Sequence, residues 1–86
     1  MILIKFIPTD CYTEVTLKEG LSALETGRTD KLFSDGLEDY EYIYFNKENG
    51  FCYEDNCVIG SILERAFDRL LSVGWCYKYK FFIKKN

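Results

Sequence analysis

The sequence predicts a small α+β domain in the βαββαβ order of a ferredoxin-like sandwich, an antiparallel sheet with two helices on one face. Three observations predict it. Apolar residues recur at helical spacing behind Thr16 and again from Val58 to Leu71. Alternating runs at 2–7 and 75–83 mark a strand towards either end. Between the helices, Asn49-Gly50 separates two β-rich runs and marks a hairpin. With 86 residues the chain forms one domain, 1–86, around one modest core.

The elements follow in order. In residues 2–7, Ile2, Ile4 and Phe6 point one way and Leu3, Lys5 and Ile7 the other. Pro8-Thr9-Asp10 reads as a turn, and Tyr12 to Val15 alternates as a short second strand; a hairpin between the two would change the topology. Thr16-Leu-Lys-Glu19 has the spacing of a capping box, so a short helix follows with Leu17, Leu21 and Leu24 on one face. Gly20 weakens that helix and Gly27 stops it. Residues 28–39 are polar and read as a loop anchored by Leu32, Phe33 and Leu37. Tyr40 to Asn46 and Phe51 to Tyr53 are the arms of the hairpin. Val58, Ile59, Ile62, Leu63, Ala66, Phe67, Leu70 and Leu71 then share one face of a second helix, capped by Asp55 or Asn56 and ended by Gly74. In the last strand Trp75, Tyr77, Tyr79, Phe81 and Ile83 alternate with Cys76, Lys78, Lys80 and Lys84.

The net charge of −3 is mild but unevenly spread. From Asp35 to Cys57 there are seven acids against Lys47 alone, and the last eleven residues carry Lys78, Lys80, Lys84 and Lys85 with no acid. A nucleic-acid binder ordinarily has a dominant basic face, so this balance disfavours direct nucleic-acid binding. Lysines on a terminal strand more often protect a sheet edge from aggregation. No apolar run reaches membrane-spanning length, and the first residues do not form a secretory leader, so a cytoplasmic protein without a membrane partner is expected.

The chain contains no histidine, which removes the commonest general base and the commonest metal ligand. No catalytic residues are assigned. Cys52 and Cys57, with four residues between them, have the spacing to meet on one metal joined by Cys11 and Cys76. Structural zinc sites usually come as tight cysteine pairs, so the expectation is four separate, partly buried thiols, with no metal and no cofactor. The acids do not follow the order of a calcium loop.

The acidic stretch interleaves with tyrosines, and that combination suits recognition of a basic partner. Tyrosine is rigid and amphipathic, and flanking carboxylates steer a basic surface and fix its register. The candidate partner-binding residues are Glu38, Asp39, Tyr40, Glu41, Tyr42, Tyr44, Glu54 and Asp55. A row of carboxylates can occupy an arginine- and lysine-lined channel meant for phosphates. The alternative is a ferredoxin-like nucleic-acid-binding or regulatory domain that uses Lys78, Lys80, Lys84 and Lys85. A homodimer through an open sheet edge is compatible with either.

In size, in its tyrosine-interleaved acidic block and in its AT-rich bias (eight lysines to three arginines, one proline), the chain resembles the small acidic anti-defence proteins of phages, anti-CRISPR proteins among them. The resemblance covers no motif, so no functional residues carry over. It implies a non-enzymatic inhibitor in a bacterial host that binds a nuclease or surveillance complex and blocks its nucleic-acid site or its movement. The modest net charge departs from whole-surface DNA mimicry and leaves a local acidic patch.

Overall fold

The computed structural model describes residues 11–37, 41–74 and 79–84. The expected strand at 2–7 and residues 75–78 of the expected 75–83 strand lie outside them. Within them the order is β1 (Tyr12–Val15), α1 (Leu17–Glu25), β2 (Phe33–Ser34), β3 (Ile43–Asn46), β4 (Gly50–Tyr53), β5 (Val58–Gly60), α2 (Leu63–Ser72) and β6 (Phe81–Lys84).

The α+β class with two helices is as expected. The sheet is not the single one of a ferredoxin-like βαββαβ sandwich: six strands among the described residues form two three-stranded antiparallel sheets, β1-β6-β2 and β3-β4-β5. One reciprocal backbone pair, Leu32 with Ile43, bridges the sheets. Helix α1 packs against β6 and β3, helix α2 against β4 and β5, and the helices touch each other.

Local chemistry sets α1. The Glu19 N–H donates to the Thr16 hydroxyl at 3.1 Å and the Thr16 N–H donates to the Glu19 carboxylate at 2.9 Å, completing the capping box. These bonds, led by the backbone one, hold the Glu19 carboxyl below its ordinary pKa. Gly27, at φ +80°, follows the last turn as the stop that its sequence position predicts. Gly20 has a packing role: a Cβ there would lie 2.5 Å from a Leu32 methyl, so the helix crosses Leu32 where it has no side chain.

The hairpin forms at Asn49-Gly50, in a form set by one residue. Asn46 pairs with Gly50, leaving a three-residue loop in which the Glu48 N–H donates to the Asn46 side chain at 2.7 Å. Gly50 takes the left-handed conformation at φ +88° that such loops close on.

Three expectations are corrected. Val58 and Ile59 belong to a strand and not to the second helix, which starts at Leu63 behind Ile62. The physical reason is that β4 offers them a ladder: Phe51 pairs with Gly60 and Cys52 with Val58 across a bulge. Asp55 and Asn56 therefore cap no helix; Asp55 instead accepts the Cys57 N–H at 3.0 Å, and Asn56 turns the chain at φ +72°. The expected 28–39 loop contains β2, which exists because Phe33 and Ser34 pair with Phe82 and Phe81. Finally, β6 is not an edge strand among the described residues: β1 flanks Phe81–Lys84 and β2 pairs with Phe81 and Phe82 on the other side.

One core holds both helices to the sheets. Leu17, Leu21 and Leu24 of α1, Ala66 and Leu70 of α2, and Ile43, Phe51, Ile59, Phe81 and Ile83 of the strands form a single buried cluster. Strand alternation sends the intervening residues to the other face. Cys52 and Phe82 are buried there, outside the cluster.

Candidate functional site

That outer face carries a row of rings. Tyr12 of β1 meets Phe33 of β2 edge-on at 5.5 Å, Phe33 meets Tyr42 at 6.4 Å, and Tyr42 meets Tyr44 of β3 at 6.3 Å. All four rings are half-buried. Aromatic residues on successive strands close over the sheet because edge-to-face packing stabilises such pairs by about 0.5–1.5 kcal/mol beyond their buried area. Lys31, at the foot of β2, places its ammonium 4.8 Å from the centre of the Tyr42 ring.

The row ends on the turn between β4 and β5. The Tyr44 hydroxyl donates to the Asn56 side-chain oxygen. Asp55 sits beside it, its carboxylate also accepting from the Cys57 thiol. The carboxylates contribute at three neighbouring neutral acids and lead at Cys57 alone. The Cys57 thiol is raised, first by its hydrogen bond to Asp55, then by the charge of Asp55 and with Glu54 adding to it. The Tyr44 phenol is raised by desolvation, by Cys52 and, more weakly, by Asp55. The Tyr53 phenol is raised chiefly by burial, with Asp55 and Glu41 adding and Arg69 opposing. A negative potential at this turn disfavours every further negative charge there.

Of the eight sequence candidates, Tyr42, Tyr44 and Asp55 come together on the outer face. Glu41 alternates to the other side with Ile43, near Tyr53, and Glu54 is half-buried at the end of β4 beside the same turn. Glu38, Asp39 and Tyr40 lie outside the described residues. Sequence reasoning missed Tyr12, Lys31, Phe33 and Asn56. The only local signal was a basic and an aromatic residue flanking Leu32, and nothing in the chain's order brings them to Tyr42.

The cysteines do not behave alike. Cys52 is buried, while Cys11 and Cys57 are exposed, which corrects the expectation that they are partly buried as a group. Among the described residues no three His, Cys, Asp or Glu side chains converge as metal ligands would. No helix among them is long and apolar enough to cross a membrane. A separate groove of about 700 Å³ runs between Val15, Phe67 and Tyr79.

Fold and site together define a small α+β domain presenting an aromatic row that ends in an acidic turn. Comparison with protein-family models, with curated proteins and with solved structures finds no match.

Proposed function

We propose that this chain is a non-enzymatic, protein-binding inhibitor that engages the basic surface of a nucleic-acid-handling protein, such as a CRISPR effector or another phage-defence nuclease. The contact face is the acidic turn together with Tyr42 and Tyr44. The carrying observation is that Glu54 and Asp55 stand at this turn with no ion pair among the described residues, beside two ordered tyrosines. Uncompensated carboxylates next to rigid aromatic rings fit an arginine- or lysine-lined surface, where the charges guide encounter and the rings supply contact area. A turn of this kind seated in a phosphate-binding channel competes with nucleic acid for the same cations.

The alternative, nucleic-acid binding through the basic C-terminal strand, has less support. Phe81, Phe82 and Ile83 are buried within the fold, while Tyr79, which lies against Gly36, stands exposed with Lys80 and Lys84. Stacking on bases needs open ring faces.

A pull-down from nuclease-treated bacterial lysate tests the proposal, with the Glu54→Lys/Asp55→Lys variant alongside. The expected result is a nucleic-acid-handling protein retained by the native chain and lost by a variant with an unchanged circular-dichroism spectrum. Equal retention by both would remove the acidic turn from the contact.

A further inference from the structure

We infer that the exposed face of the Tyr42 ring is an arginine subsite, and that in the free protein Lys31 occupies it. The inference rests on the proposed basic partner and names the side chain that partner would place here. Lys31 is exposed, forms no ion pair among the described residues, and sets its ammonium 4.8 Å from the centre of the Tyr42 ring. A cation at that distance is held by the ring's negative face. The contact therefore marks a face of the half-buried Tyr42 ring that accepts positive charge from an exposed side chain. The ring itself is fixed: Phe33 and Tyr44 hold it by edge contacts at 6.4 and 6.3 Å. A partner cation would meet a surface already ordered, which lowers the entropic cost of binding.

Charge points to the same occupant. Beyond Tyr44 the row runs into Asp55 and Glu54, which form no ion pair among the described residues, so the site couples a cation-accepting ring to a negative turn. A phosphate backbone would be repelled by that turn. Arginine fits better than lysine because the guanidinium is planar, more weakly hydrated and stacks on rings, and its fork pairs carboxylates bidentately. Lys31, held on the ring by this single contact, is the residue that arginine displaces.

The test is calorimetric titration of the full chain at low salt with a nona-arginine and a nona-lysine peptide, backed by NMR of the Tyr42 ring protons. Arginine is expected to bind about two- to fivefold more tightly than lysine and to shift the Tyr42 ring signals. Tyr42→Leu should abolish the preference, and Tyr42→Phe should retain it. Lys31→Ala should raise the arginine-to-lysine ratio, whereas Lys47→Ala, which removes the same charge from the hairpin loop, should not. Equal affinities, or a preference that survives Tyr42→Leu, would overturn the subsite while leaving the acidic-face reading standing. Failure of both peptides to bind would overturn both. Binding of oligo-dT with shifts at the Tyr42 ring would replace the arginine with a nucleic-acid base.

Discussion

Leu32 and Ile43 exchange both of their backbone hydrogen bonds, at 2.8 and 2.9 Å, and among the described residues this pair joins the sheet built on β6 to the sheet built on β4. Both side chains are fully buried. The pair also sets the position of the aromatic row, because Phe33 and Tyr42, one residue away on each side, are the rings that cross the seam.

Truncation at the seam should therefore cost more than an ordinary core change. Leu32→Ala is expected to destabilise the domain by about 3–5 kcal/mol in urea unfolding. Gly20→Ala, which in an open helix would gain about 1 kcal/mol, should instead destabilise, since its methyl would press on Leu32. In the Leu32→Ala background the same substitution should stabilise. Additive effects would show that the helix and the seam are not in contact.

Two other glycines separate packing from backbone strain. A Cβ at Gly60 would lie 2.5 Å from the backbone nitrogen of Ala66, which cannot yield without moving α2 away from β5. Gly60→Ala should cost about 3 kcal/mol. Gly27 has open space around it but stands at φ +80°, so Gly27→Ala should cost only about 1 kcal/mol. Thermal melts of the two variants check the order.

The capping box gives a pH dependence of defined sign. The folded Glu19 carboxyl titrates below its ordinary 4.5, so the folded state binds fewer protons than the unfolded state around that pH. Its contribution is fully present above 4.5 and is lost as pH falls through the lower folded value. Thr16→Ala should destabilise by about 1 kcal/mol at neutral pH. It should also return Glu19 towards its ordinary titration, read by NMR of the side-chain carboxyl.

Cys57 is exposed, yet its hydrogen bond to Asp55 keeps the thiol protonated above its usual range. Alkylation by iodoacetamide at neutral pH should be slow at Cys57, and slower still at buried Cys52. Asp55→Asn should accelerate Cys57 several-fold, because the thiolate is the reacting species. Peptide mapping by mass spectrometry reads each cysteine separately, and an unchanged Cys57 rate would show that Asp55 does not control the thiol.

The elements legible in the sequence were those whose determinants lie within a few residues. Thr16 and Glu19 are three positions apart, so the capping box and the α1 face could be read directly. The same holds for Asn46 to Gly50, where a loop side chain and one glycine close the hairpin. The start of α2 was misread because Val58, Ile59, Ile62 and Leu63 fit a helical period, while the ladder to Phe51 and Cys52 that makes 58–60 a strand is not visible in a window of that length.

The candidate site divides in the same way. Tyrosines interleaved with carboxylates between residues 40 and 55 were evident from composition, and strand alternation placed Tyr42 and Tyr44 on one side. The contact of Lys31 with Tyr42 and the Tyr44 bond to Asn56 were not, since each spans more than ten positions and depends on how two strands meet.

By itself the sequence determined the α+β class, α1 with its cap, the hairpin and the acidic, tyrosine-rich character of residues 35–57, because helix capping, turn chemistry and charge are local properties. Only the tertiary structure decided that the strands divide into two sheets, that β2 exists at all, that β6 is central, and that four rings line up across the seam. A two-residue strand has no stability of its own; it forms when backbone groups far away in the chain supply its hydrogen bonds, and the side chains it carries acquire neighbours only then.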